Sequence, residues 1–241
     1  VDPKNRLNKD ELKVNSNIAR VRSRGMKLKD DYVTLSHGAG GKASAALVDQ
    51  VFVSGYGNEV LAELTDAGVL PLTELLGEVA GNEDADFGGG KLAMSTDSYV
   101  VNPIVFPGGS IGELAVNGTV NDLAVSGAIP KVISAGFILE EGLPIADLRR
   151  EVQAMREAAE NAGVRIVTGD TKVVPKGSGD KLFINTAGIG IVPGDRHLGA
   201  SKVQRGDRII VSGAIADHGM SVMMARGDLA IEAPIKSDTR A

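Results

Sequence analysis

The sequence predicts a mixed α+β protein of two domains. Three observations carry that expectation: short apolar runs recur along the 241 residues, stretches with helical spacing lie between them, and glycines gather at the junctions. With 43% hydrophobic residues, the chain is long enough to bury more than one core. Its 31 glycines form no triplet repeat, so they mark tight turns and places where backbone approaches a ligand.

The first segment, Val1 to Gly25, is rich in Lys, Arg, Asn and Asp and is expected to be a disordered or added extension, with Met26 as a native start. Val33-Thr34-Leu35 reads as a short strand. It runs into Ser36-His37-Gly38-Ala39-Gly40-Gly41-Lys42 and a helix over Ala43 to Phe52. A glycine-rich loop opening a helix presents free N–H groups and a positive dipole end, which suits a phosphate. It is not a Walker loop, because Ser36 stands where that motif needs Gly and Ala43 where it needs Ser or Thr. Asn58 to Glu78 reads as a helix or two short elements, and Gly81 to Phe87 as an acidic, solvated turn before Gly88-Gly89-Gly90.

Leu92 to Thr96 is a strand ending at Asp97-Ser98-Tyr99, followed by a Pro/Gly loop over Asn102 to Gly109. An aspartate where a buried strand emerges can hold a divalent ion, although Asp also favours such ends simply as a turn former. Ile111 to Ala128 is helical, with Asn117 and Asn121 one turn apart on one face and Asp122 beside them. Amides are mediocre helix formers and costly to bury unsatisfied, which points to a ligand role. Val132 to Leu139 is a strand and Pro144 to Ala162 an amphipathic helix capped by Gly163. Val164 to Thr168 is a strand that delivers Gly169-Asp170-Thr171-Lys172 at its end. Phe183 to Val192 is a long alternating strand, and Pro193-Gly194-Asp195 marks the boundary of domains spanning 33–192 and 193–241. Beyond it, Asp207 to Gly213 reads as a strand and Asp217 to Arg226 as a helix, the beginning of a second α/β unit.

Composition narrows the function. A net charge of -5 with mixed signs gives no basic footprint for nucleic acid, and 3% aromatic content without Trp gives no base-stacking platform. The absence of cysteine excludes disulfides, zinc–thiolate sites and a thiol nucleophile within this chain. No apolar run reaches the length of a membrane span and no signal-peptide core opens the chain, so a cytoplasmic enzyme is expected. Asp97, Asp122 and Asp170, each in a similar setting, fit a magnesium site completed by phosphate oxygens and water, with Lys172 as a mobile cation.

The motifs Ser36 to Gly41, Thr96 to Tyr99, Val116-Asn117 with Asn121-Asp122-Leu123, Gly169 to Lys172 and Gly213 to Met220 occur in that order. In this ordered set the chain resembles the HypE family of hydrogenase maturation factors. These belong to the superfamily of aminoimidazole ribonucleotide synthetase, selenophosphate synthetase and thiamine-monophosphate kinase. The resemblance implies an ATP-dependent carbamoyl dehydratase that turns a carbamoyl group on a C-terminal cysteine into a thiocyanate, the source of cyanide for the nickel-iron centre. It implies that Asp97, Asp122 and Asp170, with Asp84 as a fourth candidate, hold magnesium on ATP. It further implies that His37, Gly38, Gly40 and Gly41 wrap the phosphates, that Asn121, Gly169 and Thr171 line the site, and that Lys172 activates the carbamoyl group. The partners implied are a HypF-like carbamoyltransferase and the HypC–HypD complex. The fold implied is an N-terminal ATP-binding domain whose sheet pairs across a homodimer, with Phe183 to Val192 as the pairing strand, followed by a truncated C-terminal domain. This chain departs from the family in lacking the acceptor cysteine. A thiamine-monophosphate kinase-like enzyme and a non-catalytic dimerising scaffold are the alternatives.

Overall fold

The computed structural model describes residues 36, 41–53, 65–72, 89–196, 198–227 and 233–241. The chain separates into two compact units, Val1–Leu64 and Thr65–Ala241. In the first, helix α1 (Lys42–Leu47) runs into a π-helical turn, Val48–Val53, close to the expected helix. The expected strand Val33 to Leu35, the residues His37, Gly38 and Gly40, and the acidic turn with Asp84 lie outside the described residues.

The second unit is built on a five-stranded sheet in the order β1 (Gly68–Pro71), β2 (Lys91–Tyr99), β7 (Leu182–Val192), β5 (Ile129–Glu140), β6 (Arg165–Val174). All pairings are antiparallel except β5–β6. A small hairpin, β3 (Val105–Phe106) and β4 (Gly109–Ser110), leads into α2 (Ile111–Val125). Helix α2 crosses from β2 to β5, with β7 inserted between those strands, and α3 (Ile145–Ala162) makes the parallel crossover from β5 to β6.

Local chemistry explains α3 well. Pro144 precedes its first turn, Gly163 closes it in the left-handed region at φ 68°, and its buried stripe is Glu151, Met155, Ala158 and Ala159. Helix α2 packs on β2, β5 and β7 and on α3. Its close seat on β7 depends on Gly188, where a Cβ would lie 2.7 Å from Thr119 Cγ2 and 2.9 Å from Leu123 Cδ1. Ile111, Val116, Ile133, Met155 and Ile184 form the centre of the core between helices and sheet.

Sheet register decides which side chains share a face, because residues directly opposite one another point the same way. The row Asp97, Thr186, Ala135 and Gly169 lies on the helix side, where Thr186 and Ala135 are buried. The next row, Ser98, Asn185, Gly136 and Asp170, lies on the other side.

Four expectations change. The tetrapeptide Gly169 to Lys172 sits inside β6 rather than in a loop after it, because β5 continues to Glu140 and offers backbone partners along the whole stretch. Phe183 to Val192 is flanked on both edges, by β2 and β5, so among the described residues the sheet ends at β1 and β6. Within Asn58 to Glu78, residues Gly68–Pro71 form a strand where helix was an option, stabilised by pairing with Lys91 to Met94. Asp207 to Gly213 forms no strand, with no pairing partner among the described residues, and Ile209 and Ile210 are 93% and 89% exposed. The following helix, α4 (Asp217–Arg226), forms as expected.

Candidate functional site

The Asp122 carboxylate of α2 reaches β2 at Ser95. Ser95 Oγ lies 2.9 Å from Asp122 Oδ2 and 3.0 Å from the Asp66 carbonyl oxygen, so one hydroxyl ties strand, helix and the entry to β1 together. Burial raises the Asp122 carboxyl above the usual aspartate range. The Ser95 hydrogen bond opposes this, and the negative charges of Asp97 and Asp66 add to it. Asp97 Oδ1 accepts the Ser98 N–H at 2.7 Å. Among the described residues no three His, Cys, Asp or Glu side chains stand close enough to hold a metal ion. Two carboxylates with a third nearby suit magnesium, which keeps waters and takes phosphate oxygens alongside few protein ligands.

Asp66 escapes the sequence reading. A signal for it exists: Thr65-Asp66-Ala67-Gly68-Val69 repeats the Thr-Asp-x-x-Val pattern of Thr96 to Val100. Both aspartates lead into or along paired neighbouring strands.

Asp170 and Lys172 stand apart from this group. They form an ion pair at 2.8 Å with both side chains 70% exposed, on the sheet face opposite Asp97. The Lys172 hydrogen bond, then the Thr171 N–H, hold the Asp170 carboxyl below the usual range. Gly169 and Thr171, alternating with them, share the helix side. A Cβ at Gly169 would collide with the Ala135 carbonyl oxygen, so this glycine permits strand contact. Gly41 belongs to the first unit, where it precedes α1.

The two amides on α2 bond to the chain's own backbone. Asn117 Nδ2 donates to the Thr239 carbonyl at 3.2 Å, and Asn121 Nδ2 to that of Arg240 at 3.0 Å. The same extended segment donates the Ser237 N–H to Pro107 O at 2.8 Å and the Thr239 hydroxyl to Gly108 O at 2.9 Å. His218 Nδ1 lies 3.0 Å from Ser237 Oγ. The costly amides that stood out in the sequence thus satisfy carbonyls of residues 239 and 240.

Beyond the sheet, Glu140 organises the loop between β6 and β7. Its carboxylate accepts the N–H groups of Gly177 and Lys181, and these bonds, in that order, lower its pKa. Asn102 Nδ2 adds a 3.0 Å bond to Asp180. A depressed folded-state pKa contributes stability above the unfolded value of about 4.3, lost as pH falls through the folded value. The Gly177 and Lys181 amides are therefore expected to stay protected from hydrogen exchange at neutral pH and to open only in acid. In Glu140→Gln, where neutral amide replaces the charged acceptor, their protection is expected to be weaker at neutral pH and insensitive to acidification over that range.

The family model described as AIR synthase related protein, N-terminal domain, matches residues 65–192. Carbamoyl dehydratase HypE of Escherichia coli (strain K12) is 48% identical over 206 residues, covering 86% of this chain and 58% of that protein. The crystal structure of a HypE–HypF complex matches with a TM-score of 0.68 at 44% identity, covering 80% of this chain and 57% of that one. A hydrogenase maturation protein HypE in complex with ATP matches with a TM-score of 0.53 at 44% identity, over 87% of this chain and 58% of that one. The chain thus spans less than two thirds of the length of these relatives. Among the described residues, no helix is long and apolar enough to cross a membrane.

Proposed function

The chain belongs to the family of AIR synthase related proteins through their N-terminal domain, and from that premise we propose that it binds magnesium ATP for a HypE-type carbamoyl dehydration. The observation that carries the reading is the seating of Asp122 against β2, where its carboxylate accepts the Ser95 hydroxyl at 2.9 Å and is raised first by burial and then by the charges of Asp97 and Asp66. A divalent ion held there would relieve that repulsion and would supply positive charge to a bound triphosphate. Asp97 and Asp122 are assigned as its ligands, with Asp66 near enough to act electrostatically or through water. The similarity to a HypE crystallised with ATP supports the choice of nucleotide.

The reaction proposed for the whole protein is the conversion of a cysteine S-carbamoyl group into a thiocyanate. The carbamoyl oxygen bonds to a phosphorus of ATP as the P–O bond to the rest of ATP breaks and that remainder leaves; the carbon–oxygen bond then breaks, both N–H protons are lost, and the oxygen departs on that phosphorus. An amide oxygen is a poor leaving group until it is esterified to phosphorus, and positioning plus charge neutralisation is what the protein supplies to such a transfer. Lys172, the group expected from the sequence to assist at the carbamoyl, lies with Asp170 on the sheet face away from Asp97 and Asp122, so its part in this reaction requires the carbamoyl to be presented from that face. The similarity to a HypE solved with HypF supports a carbamoyl-donating partner of that kind. A HypC–HypD-like acceptor, a homodimer formed by the sheet, and a nucleotide-binding part over 33–192 belong to the same proposal.

The test supplies an S-carbamoylated cysteine peptide with ATP and magnesium and follows the peptide by mass spectrometry. Loss of one water equivalent supports dehydration. Phosphate transfer to a small acceptor with no change in the peptide points instead to a kinase of the superfamily.

A further inference from the structure

We infer that residues 237–240 form a releasable strap over α2 that competes with the nucleotide for the Asn121 amide; the inference rests on the metal-nucleotide reading above. Asn121 Nδ2 donates to the Arg240 carbonyl at 3.0 Å, and Asn121 immediately precedes Asp122, the assigned metal ligand, on α2. One turn back, Asn117 Nδ2 donates to the Thr239 carbonyl at 3.2 Å. The strap therefore takes up both side-chain amides of the helix face next to the one that carries Asp122.

The way the strap is held allows it to leave. Exposure alternates along it: Lys236, Asp238 and Arg240 are exposed, whereas Ser237 and Thr239 are buried. Its inward side chains are two small hydroxyls, so hydrogen bonds rather than apolar burial fasten it. The Ser237 N–H donates to Pro107 O at 2.8 Å, the Thr239 hydroxyl donates to Gly108 O at 2.9 Å, and His218 Nδ1 lies 3.0 Å from Ser237 Oγ. Room for this approach comes from the glycine pair at the β3–β4 turn. A Cβ on Gly108 would collide with the Ser237 backbone, and one on Gly109 with the Thr239 hydroxyl. Exchanging such bonds for bonds to water costs little each, so a segment held this way opens far more readily than the apolar core beneath α2.

The grip weakens toward Asp122. Asn117 is buried, whereas the Asn121–Arg240 bond is exposed, so opening starts at the Arg240 end. There a neutral carbonyl faces competition from the phosphate oxygens of a triphosphate held at Asp122, and an ionised acceptor makes the stronger hydrogen bond to the same N–H. Nucleotide binding takes the Asn121 donor and the strap gives it up. By reciprocity, a seated strap lowers nucleotide affinity by the factor by which bound nucleotide loosens the strap.

The test varies the strap, which supplies no ligand to the proposed site. In Thr239→Val, nearly isosteric but without the bond to Gly108 O, and in Ser237→Ala, calorimetry is expected to find magnesium ATP bound about fivefold more tightly than in wild type, on the scale of one hydrogen bond. Hydrogen exchange over residues 236–241, followed by mass spectrometry, is expected to quicken in both variants without nucleotide. It is expected to quicken in the wild type when magnesium ATP is added. Wild-type strap exchange that magnesium ATP leaves unchanged or slows overturns the inference. So does an affinity within about twofold of wild type in variants whose strap exchange has quickened. Asp122→Asn separates the two levels. If it keeps wild-type affinity for magnesium ATP, the metal-nucleotide reading is misassigned and the inference falls with it; if it loses that affinity while the strap variants leave theirs unchanged, only the role of the strap falls.

Discussion

Asp122→Asn is expected to remove the magnesium dependence of ATP binding while raising thermal stability at neutral pH. The two effects have one origin. Burial and the charges of Asp97 and Asp66 raise the folded-state pKa of Asp122, so its ionised form opposes folding. The sign follows from linkage: a raised folded pKa gives stability that is full below the unfolded value, about 3.9, and is lost as pH rises through the folded value. Asparagine has no charge to lose and still offers Ser95 an acceptor oxygen. Its melting temperature should exceed that of the wild type at neutral pH, with the gap closing as acid protonates Asp122. Magnesium-dependent ATP affinity should fall at least about tenfold, the scale of one charged interaction. A group kept where it costs stability and confers binding is the usual mark of a functional carboxylate.

Glu151→Ala is expected to destabilise the fold by about 2–4 kcal/mol, from an unpaired buried N–H and a side-chain void. Glu151 is fully buried on α3, and its carboxylate accepts the Gly112 N–H at 3.1 Å and Arg150 Nε at 3.3 Å. Gly112 is in the first turn of α2, where amides lack helical partners and the dipole favours negative charge. One side chain thus caps a neighbouring helix from across the interface. Arg150 also reaches Asp147 at 3.0 Å, which keeps it paired when Glu151 is shortened. Glu151→Gln retains an acceptor and should lose less, as measured by urea unfolding. Because α2 carries Asp122, loosening its N-terminus should also weaken nucleotide binding.

The legibility of this protein in its sequence follows the range of the interactions. Helix α3 was readable because Pro144, Gly163 and an amphipathic stripe are all local signals, and β7 because its alternation spans eleven residues. The same locality misled at Gly169 to Lys172. Four polar or glycine residues look like a loop, yet on an exposed edge strand both faces can be polar, and β5 satisfies the backbone. Asp66 was missed because its significance depends on Asp122 and Ser95, which only the pairing of β1 with β2 and the return of α2 bring near. Asn117 and Asn121 read in the sequence as amides facing a ligand, whereas their Nδ2 groups donate to the carbonyls of Thr239 and Arg240, a contact no periodicity announces. Resemblance to a family supplied what spacing did not, namely the nucleotide and the class of reaction.

The metal-nucleotide site is proposed on the helix side of the sheet, at Asp97 and Asp122, and not with Asp170 on the other face. Calorimetric titration of ATP at a series of magnesium concentrations, in Asp97→Asn and Asp170→Asn side by side, tests it most directly. Asp97→Asn is expected to lose the magnesium dependence and Asp170→Asn to keep it within about twofold. Loss of the dependence in Asp170→Asn together with its retention in Asp97→Asn would contradict it.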